Sequence, residues 1–148
     1  MKKIVVVIQL MLIFSAAKSQ ITKSEELIGK WKTVSVNSTI GQYVEPEFKD
    51  RSDSLVKLMN GTEFQFNKDG SFSMKISITA LNVKKAHWEF KKETNSILIQ
   101  ELNDYKKNKS LLMEIEIKMI DGKICFFPLE SFSAFEVQKV ESFKPMLN

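Results

Sequence analysis

One histidine, one cysteine and a scatter of carboxylates are the residues of this 148-residue chain that could do chemistry. His87 and Cys125 would be the pair for nucleophilic catalysis, which needs a base within hydrogen-bond reach of a thiol. Their surroundings argue against it. In Ile124-Cys125-Phe126-Phe127 the thiol stands in an apolar run, the setting of a small, half-buried strand residue, and its immediate neighbours do nothing to lower its pKa. His87 alternates with Ala86, Trp88 and Phe90, so inward aromatics put the imidazole on the outer face. A metal site could be drawn from His87, Glu89 and Glu114 or Glu116. Solvated cross-strand charges account for the same residues, and structural zinc takes more Cys and His. The other carboxylates are dispersed, with no pair in apolar surroundings that would raise a pKa. The expectation is a protein that is not an enzyme, with no catalytic residue, no metal and no cofactor.

The set with a pattern is apolar: Trp31, Phe64, Phe66, Phe72, Met74, Ile76, Trp88, Phe90, Ile115 and Ile117. Their spacing is that of strands. Phe64 and Phe66 alternate with Glu63, Gln65 and Asn67, and Lys68-Asp69-Gly70 supplies a turn. Phe72, Met74, Ile76 and Ile78 then alternate with polar residues over 71–78, completing a hairpin with one apolar face. Ala86, Trp88 and Phe90 mark a run over 85–91. Residues 97–102 form the next, without a legible inward face. Met113, Ile115, Ile117 and Met119 mark 113–119, Asp121-Gly122 turns the chain into 123–127, and Pro128 stops that run. A last strand spans 134–140, followed by a tail over 143–148.

The first run, 30–37, follows Ser24-Glu25-Glu26, a brief helical turn with Ser24 as N-cap. It opens on Leu27-Ile28-Gly29-Lys30-Trp31, where glycine turns the backbone into the strand and the indole plugs one end of a sheet. With Trp31 inward, Thr33 and Ser35 follow by alternation. The connection over 38–61 is long enough to be a lid or binding loop, or to hold a short helix or extra strand over one end.

Eight such runs in hairpin order predict an all-β fold: an eight-stranded antiparallel up-and-down β-barrel with a short N-terminal helical turn. Closure removes the edges such strands would otherwise expose; a two-sheet sandwich is the alternative. A barrel of eight strands is just wide enough to be filled by side chains or to hold one small ligand.

Residues 1–19 have the pattern of a cleaved signal peptide: Met1-Lys2-Lys3, an apolar run from Ile4 to Phe14, and small residues at Ala17 and Ser19 before a cut at Gln20. A retained anchor is the other reading of this segment, which is short for a span. Cleavage leaves a single domain over 20–148, secreted or periplasmic, with no later membrane span and no cysteine at the cut for lipid attachment. It also removes Lys2, Lys3 and Lys18 from the 22 basic residues, leaving 19 against 18 acidic ones. Nucleic-acid binding, which needs a concentrated basic face, is disfavoured. With one cysteine no intrachain disulfide forms. Asn37, Asn60 and Asn108 begin glycosylation sequons that read as turn chemistry.

The Leu-Ile-Gly-Lys-Trp opening, Phe64-x-Phe66-x-x-Asp69-Gly70-x-Phe72, Trp88 within its run and the strand count together resemble the lipocalin-like family, in particular the small exported lipocalin-like domains of Bacteroidota-type bacteria. The match covers about residues 26–140. It implies a barrel with a long first loop near one mouth and an apolar interior for a small hydrophobic molecule of the lipid or fatty-acid class. The ten apolar residues named above would then line the ligand. The filled-barrel alternative is an interaction module for an envelope protein partner. Two features depart from the family pattern. The last strand lacks the arginine that packs over the basal tryptophan, with Lys139 the nearest cation, and the turn before 123–127 is reduced to Ile120-Asp121-Gly122.

Overall fold

The structure is a computed structural model, described here for residues 21–38, 49–102, 110–129, 131 and 133–140. The segment expected to be a signal peptide, most of the first connection before residue 49 and the tail after 140 lie outside the described residues. After a one-turn helix α1 (Ser24–Leu27) comes β1 (Gly29–Ser38), then helix α2 (Lys49–Met59). Seven strands follow: β2 (Glu63–Phe66), β3 (Ser71–Lys75), β4 (Val83–Lys91), β5 (Ser96–Glu101), β6 (Leu111–Ile120), β7 (Lys123–Pro128) and β8 (Ser133–Val140). Each pairs antiparallel with its sequence neighbours, and β1 closes the barrel on β8. The expected eight-stranded up-and-down barrel is the architecture observed. Among the described residues no helix is long and apolar enough to cross a membrane.

Turn chemistry sets the hairpins. Asp121 and Gly122 both take positive φ, +50° and +74°, the two-residue turn whose twist matches antiparallel strands. Gly70, at φ +82°, also leaves room that a Cβ would take from the His87 ring, 2.9 Å away. At Gly29, φ is +129° and the Lys139 stem passes 2.9 Å from where a Cβ would be. Glycine is needed there on both counts.

Three irregularities in the ladder change which residues face inward. A bulge in β1 between Thr33 and Ser35 makes Val34 an extra, exposed residue. Ser35, expected to follow Trp31 and Thr33 into the interior, therefore faces solvent, and Val36 packs on the core instead. In β4, Phe72 pairs with Ala86 but Met74 with Val83, so Lys84 and Lys85 are both exposed. In β6, Ile99 pairs with Met113 and Gln100 with Leu111, which makes Leu112 the extra residue.

One further expectation is corrected, and one left open is resolved in part. The third run stops at Lys75, not residue 78; Asn82 Oδ1 accepts from the Ile76 amide at 2.8 Å, and a 3₁₀ turn (Thr79–Leu81) leads into β4. Of the two readings of the first connection, its described part is a helix: α2 packs on β1, Met59 reaches the core, and the Thr62 hydroxyl donates to the Met59 carbonyl at 2.6 Å. In β5, Ile97 and Ile99 face the interior. Leu98 is buried on the outer face between Glu89 and Glu114, its cross-strand neighbours.

Candidate functional site

In an up-and-down barrel alternate connections share an end. The base carries α1 and the turns after β2, β4 and β6; the mouth carries α2 and the connections after β3, β5 and β7.

The base is filled with rings. Phe126 stands at its centre, 5.6 Å from Trp31, 5.4 Å from Phe64 and 6.1 Å from Phe66 between centroids. Phe66 in turn contacts Phe72 at 5.1 Å and Trp88 at 5.3 Å. These tilted and edge-to-face pairs add to the burial of fully covered rings. Both indoles are satisfied: Trp31 Nε1 donates to the Leu27 carbonyl at 2.8 Å and Trp88 Nε1 to that of Asn67 at 3.0 Å. Lys139 is the cation over Trp31 at this end. Its ammonium lies 5.6 Å from the Trp31 ring centroid and donates to the Glu26 carbonyl at 2.9 Å, tying β8 to α1. A cavity of about 320 Å³ reaches Trp31 between Lys123 and Lys139, and both lysines are engaged, Lys123 with Glu136 and Lys139 with the Glu26 carbonyl.

The mouth differs in kind. Val36, Met59, Met74, Val83 and Met113 are only partly buried against the core there, beside the buried Phe135 of β8, which pairs with Val36. Around them stand Leu55 and Leu58 on α2, Leu81 on the 3₁₀ turn and Leu102 after β5. Leu111 and Leu112 at the start of β6 and Leu129 after β7 continue the rim, and all seven leucines are between 40% and 52% exposed. A groove of about 820 Å³ runs between Asn82–Lys85 and Leu102, with Leu112 and Glu101 on its far side. A smaller one, about 310 Å³, lies between Leu111–Glu114 and Pro128–Ser131.

Between plug and mouth sits Thr33, one inward position above Trp31. It is only 3% exposed, and its hydroxyl finds no hydrogen-bond partner among the described residues. A buried hydroxyl in that state costs about 1–3 kcal/mol.

Of the ten expected lining residues, Trp31, Phe64, Phe66, Phe72, Trp88, Ile115 and Ile117 are buried in one cluster, with Met74 and Phe90 packed against it. Ile76 is buried but lies past β3, outside that cluster. The rings mostly pack on one another, while Met74 and Ile76 lie at the mouth end. The rim leucines and Met59 were not singled out from the sequence. Their signal is the composition of alternate connections: charged and polar at the base (Lys68-Asp69-Gly70, Lys92-Glu93-Thr94-Asn95, Asp121-Gly122), leucine-bearing at the mouth.

The titratable groups lie outside the barrel. His87 is half-buried beside Gly70. Cys125, between Lys118 and Glu136 on neighbouring strands, is more buried than expected; burial, then the Glu136 charge, push its thiol up, which keeps it protonated and weakly nucleophilic. Among the described residues no three of His, Cys, Asp and Glu gather at one point.

No protein-family model matches the sequence, and no curated protein does. The crystal structure of a DUF4847 family protein from Bacteroides vulgatus ATCC 8482 is similar to this chain over 80% of its length and 100% of that protein's, with 11% identity and a TM-score of 0.47. The lipocalin-like resemblance therefore rests on the motifs quoted above.

Proposed function

We propose that this chain is an exported, non-enzymatic barrel that binds a small hydrophobic molecule of the lipid or fatty-acid class at its mouth. The observation that carries the reading is the mouth itself. Apolar side chains there are left half-covered at the one end where the interior changes from rings to methionine and valine. Methionine side chains adapt to irregular apolar shapes, and Val83 connects this lining to the rim groove of about 820 Å³ that Asn82, Lys84, Lys85, Glu101, Leu102 and Leu112 otherwise line. Thr33 supports it, because a polar group entering from the mouth would partner the orphaned hydroxyl. The ligand so placed sits above the aromatic plug, not among the rings.

The test is titration with a fluorescent fatty-acid analogue. Saturable one-to-one binding, lost in Val83→Arg and in Met113→Arg while Leu98→Ala, on the outer face, binds normally, supports a mouth site. Absence of binding in the folded wild type refutes it. The tight ring packing favours a second reading, a filled barrel serving as an interaction module for an envelope protein partner. Native mass spectrometry of protein from its own producing cell separates the two, since a co-purifying lipid fits only the first.

A further inference from the structure

We infer that Asn60-Gly61 is a site of spontaneous covalent modification, where Asn60 loses its amide through a succinimide and becomes aspartate or isoaspartate. The electrophile is the side-chain amide carbon of Asn60, and the nucleophile is the main-chain nitrogen of the residue that follows. Glycine in that place leaves the nitrogen unshielded, because no Cβ stands beside it. The pair forms the turn between α2 and β2, and both residues are exposed. Gly61, at φ +77°, ends the helix in the left-handed conformation common there, and only the Lys32 stem comes near it. Neither the Asn60 side chain nor the Gly61 amide makes a hydrogen bond among the described residues.

Other turns of this barrel show what protection looks like. Asn67 Nδ2 donates to the Ser71 hydroxyl at 2.9 Å, and Asn95 Nδ2 to the Ile117 carbonyl at 2.6 Å. Asn82 Oδ1 accepts from the Ile76 amide at 2.8 Å. None of these three precedes a glycine. At Asp69-Gly70 the carboxylate accepts from Ser71, and the Gly70 amide donates to the Asn67 carbonyl at 3.0 Å. Asn60-Gly61 alone among these turns has an amide side chain and its nucleophile both free.

The step needs no co-reactant except water. The Gly61 nitrogen bonds to Cγ of Asn60, the Cγ–Nδ2 bond breaks, and ammonia leaves with the proton that the glycine amide gives up. Water then opens the five-membered imide. Attack at Cγ gives aspartate; attack at the main-chain carbonyl gives isoaspartate, whose chain is longer by one methylene. Nothing is oxidised or reduced. Either product puts a carboxylate at the C-terminal end of α2, where the helix dipole is already negative. Lys57 in the last turn and the Lys32 stem are the cations on that side. The Thr62 amide and hydroxyl both bond the Met59 carbonyl across this turn, at 3.2 and 2.6 Å. Isoaspartate lengthens the chain they staple, so Met59 slackens at the mouth. Only the effect on a ligand rests on the reading of the mouth as a binding site.

The experiment is warm storage of the folded protein at mildly alkaline pH, followed by isoelectric focusing and peptide mapping that resolves aspartate from isoaspartate. Wild type is expected to accumulate a species more acidic by one charge, with both products at Asn60. Isomerisation at Asp121-Gly122 leaves the charge unchanged and is not counted. Asn60→Gln should lose the acidic species, since glutamine closes only a six-membered ring. Gly61→Ala, with tryptophan emission confirming its fold, should slow it severalfold. Wild type that stays unchanged while the same chain unfolded in guanidinium converts overturns the proposal, because the turn then holds Asn60 away from the Gly61 nitrogen. So does an acidic species that survives Asn60→Gln. Fatty-acid titration of fresh and stored protein reads the mouth separately: no uptake by either ends the ligand reading and leaves the Asn60 chemistry standing.

Discussion

The two ends of this barrel are built from the same strands and solve opposite problems. At the base, β1 and β8 bring Trp31 and Lys139 together under α1, the hairpin turns are charged, and the rings of Phe66, Phe72, Trp88 and Phe126 exclude solvent. At the mouth the same sheet ends in thioethers, short branched chains and uncovered leucines. Dense packing with satisfied polar groups is what stability requires. A half-covered apolar rim and an orphaned hydroxyl contribute nothing to it; on the proposed reading they serve the ligand. On that reading, stability and binding are separated along the barrel axis.

The largest effect that could break this division is in the plug. Phe126→Ala removes the ring that three others share, and urea denaturation should show a loss of about 3–5 kcal/mol. Met113→Ala, half-buried at the mouth, should cost less than half as much. Comparable losses would mean the mouth is core and the division is wrong. Next comes Gly29→Ala, expected to cost about 1–3 kcal/mol because it combines positive φ with the close Lys139 stem. Adding Lys139→Ala should relieve the crowding but not the backbone strain, leaving a measurable coupling between the two changes.

Thr33→Val sharpens the same comparison from within. It keeps the shape and deletes a hydroxyl that has no partner, so the free protein should gain about 1 kcal/mol. Affinity for the fatty-acid analogue should fall in the same variant. A gain in stability with unchanged affinity would detach Thr33 from the ligand.

How far the sequence could carry each end follows from what its local signals encode. The base was legible because each device is local: Gly29 next to Trp31, Asp69-Gly70 between alternating phenylalanines, Asp121-Gly122 between two strands. The strand count and closure follow from the same period-two pattern. Inward phase was legible only up to each bulge. Nothing in Lys32-Thr33-Val34-Ser35-Val36 announces that Val34 is extra, because the partner register that creates the bulge lies in β8, about a hundred residues away. Ile97-Leu98-Ile99 concealed its face for another reason: β5 is buried on both sides, so alternation disappears. The mouth was hidden because its leucines sit in connections, where a single apolar residue carries no periodicity. Only the barrel's topology gathers Leu81, Leu102 and Leu129 at one end.

The smallest predicted effect tests that bulge directly. Glu136 Oε2 accepts from Lys123 Nζ at 3.1 Å and from the Ser35 hydroxyl at 3.0 Å. These bonds, the Lys123 one foremost, hold its carboxyl below the usual range. The folded pKa is depressed, so the associated stability is present above the unfolded carboxylate's pKa and is lost as pH falls through the folded value. Glu136 is well solvated, so its effect on unfolding is slight and its titration is better followed by carboxyl NMR. Lys123→Gln should move the midpoint upward, and Ser35→Ala should move it upward by less. Added salt should shrink the first displacement more than the second, since a hydroxyl bond carries no net charge to screen. If Ser35→Ala leaves the midpoint where it was, Ser35 does not reach Glu136 and the strand runs in phase without its bulge. Val36 would then turn outward, and the mouth would lose one wall of its apolar lining. The position of one carboxylate's titration on the outer face thus reports which residues face the proposed ligand site inside.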